Sequence, residues 1–139
     1  MIYLLDTNVV SELRKAKTSK ANKNVMRWVA SVPSNRLFIS VITVLELEMG
    51  ILSLERKDEK QGKVLRQWFS NHVLPTFQDR ILEINTPIAL RCAKLHVPDP
   101  KSERDAMIAA TALNHGMTIA TRNTQDFKNS GVHLLNPWD

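Results

Sequence analysis

Residues 1–13, MIYLLDTNVVSEL, join an apolar segment to a polar one at Asp6. The apolar run at 2–5 has the length and character of a strand that is buried on both faces. Asp6, Thr7 and Asn8 then stand where the strand would end and a helix would begin. An aspartate at this point can simply cap the helix. It can also be a metal ligand at the carboxyl end of a parallel strand, where open α/β sheets place their active sites.

The rest of the chain alternates between strand and helix patterns. Strand candidates are 2–5, 37–41, 81–84 and 117–120, with a weaker candidate at 132–135. Helical patterns cover 8–14, 23–32, 43–54, 57–73, 87–95 and 103–115. This alternation predicts an α/β fold with a parallel sheet and helices on both of its faces. The length of 139 residues fits a single domain, and we expect one spanning residues 1–139.

The composition is that of a water-soluble globular protein, with 43% hydrophobic and 24% charged residues. The single cysteine, Cys92, cannot form a disulfide within the chain, so nothing suggests secretion. No apolar run approaches the length of a membrane span, and the N-terminus has no basic segment before an apolar one, as a signal peptide would. We therefore expect a cytoplasmic protein without membrane association.

The net charge of +5 is concentrated early in the chain. No acidic residue occurs between Glu12 and Glu46, whereas that interval holds seven basic ones: Arg14, Lys15, Lys17, Lys20, Lys23, Arg27 and Arg36. Such a stretch can be a solvated face, or it can bind a polyanion, for which nucleic acid is the main candidate. Both interpretations stay open at this point.

Beyond Asp6, three acids occupy unusual places. Glu46 lies in the mainly apolar helix SVITVLELEMG at 40–50, and Asp105 lies in the first turn of the apolar helix SERDAMIAATAL at 102–113. Asp126 follows a strand, in ATRNTQDF at 120–127. Each has a simple explanation: a capping box from Thr43 to Glu46, a first-turn acid behind the cap Ser102, and an Asx turn at Asp126.

Taken together, these acids favour a metal site. Segments that follow parallel strands emerge at one edge of the sheet, so all four carboxylates are expected near that edge. They would repel one another unless a cation joined them, and oxygen ligands select Mg²⁺ or Mn²⁺. Zinc is not supported, because the four histidines have no zinc-ligand spacing: His72, His96, His115 and His133.

Four segments carry a resemblance to a known family: LLDTNVVSEL at 4–13, SVITVLELEMG at 40–50, DAMIAATAL at 105–113 and IATRNTQDF at 119–127. The chain resembles PIN-domain ribonucleases of the VapC and FitB type, which are toxins of type II toxin–antitoxin pairs. The segments occur in the order of that family and spread over nearly the whole chain. The resemblance implies a three-layer α/β/α domain with a central, mainly parallel sheet.

The resemblance also implies site residues, transferred position by position. The catalytic and metal-binding acids would be Asp6, Glu46, Asp105 and Asp126, with Mg²⁺ or Mn²⁺ as the cofactor. Asn8 and Thr121 would support them, and Glu48 would lie outside the site. Arg14, Lys15, Lys17 and Lys20 are the candidates for RNA contacts, on the strength of the basic stretch.

The implied reaction is hydrolysis of RNA phosphodiester bonds by a metal-activated water, leaving 5′-phosphate and 3′-hydroxyl ends. The implied partners are the RNA substrate and a small cognate antitoxin, with a homodimer and a higher toxin–antitoxin complex. A receiver domain is disfavoured because no Asp follows the strand at 37–41, and a haloacid dehalogenase because Asn8 stands where its second acid would be. A non-catalytic RNA-binding or protein-interaction module on the same fold remains the alternative.

Overall fold

A parallel sheet of five strands forms the centre of the computed structural model, which describes all residues 1–139. The strands are β1 (Tyr3–Leu5), β2 (Leu37–Ser40), β3 (Ile81–Leu82), β4 (Thr118–Ala120) and β5 (Leu134–Leu135). Their order across the sheet is β3-β2-β1-β4-β5, and every neighbouring pair is parallel. The predicted parallel sheet is therefore confirmed, including the weak last strand.

Seven α-helices connect the strands: α1 (Thr7–Leu13), α2 (Lys23–Ser31), α3 (Val41–Lys57), α4 (Glu59–Trp68), α5 (Leu74–Thr76), α6 (Thr86–Leu95) and α7 (Glu103–His115). A π-helical turn at Phe69–Val73 joins α4 to α5. None of the helices combines the length and the apolar character that a membrane span requires.

The boundaries predicted for two helices are wrong. The helix predicted at 43–54 begins earlier, at Val41, because the hydroxyl of Ser40 accepts the backbone N–H of Ile42 at 3.0 Å and caps it. The helix predicted at 57–73 begins at Glu59 and continues to Thr76. The segment ends one residue after Pro75.

The sheet is covered on both faces, which gives the three layers. On one face, Leu5 packs with buried residues of α1, α2 and the α4–α5 segment, such as Val9, Val25 and Phe69. On the other face, Leu4 packs with residues of α7 such as Ile108. Because successive strand residues point to opposite faces, adjacent leucines in β1 serve two different cores.

The order of the strands determines where a site can form. The chain moves from β1 outward to β2 and β3 on one side, and then crosses to β4 and β5 on the other. Sheets of this kind leave a crevice beyond the carboxyl ends of the strands, at the point where the order reverses. In this fold that point lies beside Asp6 and Thr121, the residues that follow β1 and β4.

Candidate active site

Asp6 is held from three sides at the end of β1. Its Oδ1 accepts the backbone N–H of Thr7 at 2.8 Å, which confirms the capping interpretation. Its Oδ2 accepts the hydroxyl of Thr121 at 2.8 Å and the side-chain amide of Asn8 at 3.3 Å. The backbone N–H of Asp6 donates to Ala120 of β4 at 2.9 Å, so the residue is tied to both central strands.

Asn8 and Thr121 also contact each other. The side-chain amide of Asn8 lies 3.2 Å from the hydroxyl of Thr121, and its carbonyl oxygen accepts the backbone N–H of Arg122 at 3.2 Å. Both side chains therefore lie against Asp6. Together they restrict the orientation of its carboxylate.

Glu46 reaches the site from α3. Its Oε1 accepts the hydroxyl of Thr7 at 2.7 Å, and that hydroxyl oxygen lies 3.1 Å from the hydroxyl of Thr43. The capping box from Thr43 to Glu46 is wrong, because the helix is capped by Ser40. Glu46 is instead directed toward α1 by the residue that follows Asp6. The sequence patterns did not identify Thr7 as a site residue. The only local sign of its role is its position next to Asp6.

Asp105 and Asp126 lie on α7 and in the turn that follows β4. Asp105 lies in the first turn of α7, as predicted. Ser102 occupies the N-cap position, but its side chain makes no capping hydrogen bond to the backbone. Asp126 is exposed, in a 3₁₀ turn at Thr124–Phe127.

The electrostatics show that the four acids share one environment. Burial raises the pKa of Asp6, and the charges of Glu46 and Asp126 raise it further, while hydrogen bonds from Thr121 and Thr7 act in the opposite direction. Burial also raises the pKa of Asp105, as do the charges of Asp126, Asp6 and Glu46. The site therefore concentrates negative charge that the protein itself neutralises only in part.

This donor set fits a hard divalent cation better than a softer metal, since every candidate ligand is a carboxylate oxygen. No three His, Cys, Asp or Glu side chains lie close enough together to hold one ion between them. Mg²⁺ is commonly bound through one or two carboxylates and keeps several waters. The arrangement is compatible with that mode and not with a closed cage of protein ligands.

Glu48 and the basic stretch lie apart from this cluster. Glu48 forms a two-point ion pair with Arg66 of α4, with distances of 2.6 and 2.7 Å, so it is engaged away from the site. Arg14, Lys17 and Lys20 are exposed in the loop after α1. Lys15 instead pairs with the buried Glu12 at 3.3 Å, which leaves it less available than its neighbours.

Comparison with known proteins places the chain in a family. The PIN-domain family model matches residues 3–131. The chain belongs to the PIN-domain family. Among curated relatives, Toxin FitB of Neisseria gonorrhoeae is 36% identical over 99% of both chains. VapC ribonuclease Y4jK of Sinorhizobium fredii is 33% identical, again over 99% of both.

The fold agrees with a solved structure of such a protein. The crystal structure of FitAcB from Neisseria gonorrhoeae superimposes with a TM-score of 0.88 at 34% identity, covering 99% of each chain. This similarity confirms the predicted α/β fold and the resemblance that the four sequence segments carried.

Proposed function

We propose that this PIN-domain chain is a metal-dependent endoribonuclease and the toxin of a type II toxin–antitoxin pair. The observation that carries the proposal is the group of acids around Asp6 at the carboxyl edge of the sheet, where the charges of Glu46 and Asp126 add to burial in raising the pKa of Asp6 and of Asp105. Relatives named as a VapC ribonuclease and a FitB toxin, alike over nearly their whole length, support it. We also take residues 1–139 as one domain.

Asp6 and Asp105 are the residues that would hold the ion, with Mg²⁺ or Mn²⁺ as the cation. Both carboxyls have raised pKa values, first because Asp6 is buried and Asp105 half-buried, and also because of the charges of other acids, so a cation would relieve an electrostatic cost. Glu46 and Asp126 complete the acidic lining and can bind waters of the ion or a second ion. When bound, a divalent ion lowers the pKa of a water and neutralises charge on a phosphate.

The side chains of the protein prepare this site before any ligand arrives. Thr121 and Asn8 orient Asp6 by hydrogen bonds at 2.8 and 3.3 Å, as partners of metal ligands commonly do. Thr7 holds Glu46 in the same way at 2.7 Å. These acids face a phosphodiester that they would otherwise repel, which explains why nuclease activity would depend on the metal.

RNA and protein partners follow from the same assignment. Arg14, Lys17 and Lys20 are exposed and can contact the RNA backbone, and Lys15 is the weakest candidate because of its pairing with Glu12. A cognate antitoxin would inhibit the nuclease, and an arginine of that partner could pair with two site carboxylates and exclude the metal. We also expect a homodimer, and a higher complex with the antitoxin.

The metal requirement is tested by cleavage of an end-labelled RNA. Cleavage should be lost in excess chelator and restored by Mg²⁺ or Mn²⁺, and the new ends should be 5′-phosphates. Undiminished cleavage in chelator would overturn the proposal. The toxin role is tested by expression with and without the product of the adjacent reading frame: the chain alone should arrest growth and the pair should not.

A further inference from the structure

A single basic side chain of the protein contacts the acidic cluster. Arg104 lies in the first turn of α7, directly before Asp105. Its Nη1 is 3.6 Å from Oε2 of Glu46 on α3, and this is the only ion pair that any of the four acids forms. The Arg104 side chain is 47% exposed, so the guanidinium lies at the mouth of the site and not beneath it.

The contact is loose compared with the other arginine–glutamate pairs of the protein. Arg66 binds both oxygens of Glu48 at 2.6 and 2.7 Å and also contacts Glu55. Arg104 meets one oxygen of Glu46 at 3.6 Å, beyond normal hydrogen-bonding distance, and otherwise contacts the sulfur of Met49 at 3.7 Å. A guanidinium has five N–H donors, so most of those on Arg104 are free for another acceptor.

The other oxygen of Glu46 is already satisfied by the hydroxyl of Thr7. Arg104 is therefore not needed to hold Glu46 in place, and it offsets charge instead. A cation bound among the acids would take over that task. Arg104 would then stand beside the cation with its donors free, at the point where an anionic strand must approach.

We propose that Arg104 is a phosphate-binding residue of this site, which covers Glu46 in the free protein and transfers to a phosphate of the RNA once the acids hold a cation. The planar guanidinium fork matches two oxygens of a phosphate. This inference rests on the proposed ribonuclease function and assigns to it a substrate contact from within the chain.

The proposal predicts that Arg104→Gln strengthens the binding of Mg²⁺ and weakens the binding of RNA. Mg²⁺ should bind the free protein about two- to fivefold more tightly, because the weak, exposed ion pair between Arg104 and Glu46 no longer competes with the cation. Single-stranded RNA should bind more weakly, and the slope of log affinity against log salt should fall by about 0.7, the value for one lost phosphate contact. A purely structural role would weaken both ligands together.

Two titrations of the full chain measure these effects. The melting temperature is followed against Mg²⁺ concentration, and the binding of a fluorescent 2′-O-methyl oligonucleotide is followed by anisotropy at several salt concentrations. Arg56→Gln is the matched control, since Arg56 is exposed at the end of α3 and makes no ion pair; it should leave both unchanged. Arg104→Lys, which keeps the charge but loses the fork, should keep the Mg²⁺ midpoint and recover only part of the RNA affinity.

The proposal is overturned if Arg104→Gln weakens Mg²⁺ and oligonucleotide binding together, or if it changes neither. Its failure is distinct from failure of the proposed function, which is read from cleavage. A wild-type chain that never cleaves RNA would refute the nuclease assignment, while the two titrations would still decide whether Arg104 exchanges between Glu46 and a phosphate.

Discussion

The close contact between α3 and α4 predicts how the addition of a single carbon atom would change the stability of the protein. Gly62 of α4 lies against Glu55 of α3, and a Cβ at position 62 would come within 2.6 Å of the Cα of Glu55 and 2.9 Å of its backbone nitrogen. Carbon atoms pack at about 3.5–4.0 Å, so Gly62→Ala would force the helices apart by about 1 Å. The obstacle is backbone, which cannot swing aside as a side chain would.

The size of the effect follows from two opposing terms. Alanine is favoured over glycine inside a helix by about 1 kcal/mol. Overpacking costs about 1–3 kcal/mol, and separation of the helices would also strain the bridge that Arg66 makes to Glu48 and Glu55, so we expect a net loss of about 2 kcal/mol. With an unfolding entropy of about 2.1 cal/mol/K per residue, this lowers the melting temperature by about 7 °C.

Gly50 provides the matched control. It lies in the middle of α3, and a Cβ there would meet nothing within 4 Å. Gly50→Ala should therefore keep only the helix-propensity gain and raise the melting temperature by about 3 °C. Calorimetry of both variants in metal-free buffer is the assay. Equal stability of the two variants, or a Gly62→Ala protein as stable as the parent, would refute the close-packing argument.

Further predictions concern charged and hydroxyl groups. The pKa of Glu12 is lowered, mainly because its carboxylate accepts the backbone N–H of Asn22. Glu12→Gln should therefore lower the free energy of unfolding by about 1 kcal/mol near pH 7. The difference from wild type should disappear as the pH falls below about 4, and paired urea titrations would measure it. Asp105→Asn should raise the melting temperature in chelator by about 2–5 °C, because it removes a negative charge that burial and the neighbouring acids destabilise. An unchanged melting temperature in scanning calorimetry would argue against this electrostatic destabilisation. Thr121→Val should weaken Mg²⁺ binding by about 10–100-fold through loss of its bond to Asp6, and isothermal calorimetry showing unaltered affinity would deny the orienting role.

Sequence patterns predicted the parts of the site that depend on topology. Asp6 and Asp126 follow strands, and the carboxyl ends of parallel strands share one edge, so the strand pattern alone indicates that the two acids lie near each other. The local cap of α3 was less predictable. Ser40 and Thr43 both carry hydroxyl groups that can cap a helix, so the sequence leaves two starting points open. In the structure Ser40 caps α3, and the hydroxyl of Thr43 lies against that of Thr7.

Contacts between helices could not be predicted from the same patterns. The approach of Thr7 and Arg104 to Glu46 depends on how α1, α3 and α7 meet, and neither residue type marks that geometry. The continuation of the helix through the π turn to Thr76 was missed for a related reason. Phe69 and Val73 are buried there, and the packing of these side chains into the core accompanies a helical segment that runs past residue 73, where the sequence pattern predicted its end.

The most direct test of the central claim is the initial rate of RNA cleavage by Asp6→Asn in Mg²⁺, beside Asp79→Asn. Asp79 is an exposed acid just before β3, at the opposite edge of the sheet, so its variant makes the same chemical change away from the site. The account predicts that Asp6→Asn lowers the rate more than about a hundredfold, a larger loss than removal of a hydrogen-bond partner of a metal ligand causes. It predicts no loss for Asp79→Asn. If the folded Asp6→Asn protein cleaved RNA at the rate of the Asp79→Asn protein, the acidic cluster would not be the nuclease site.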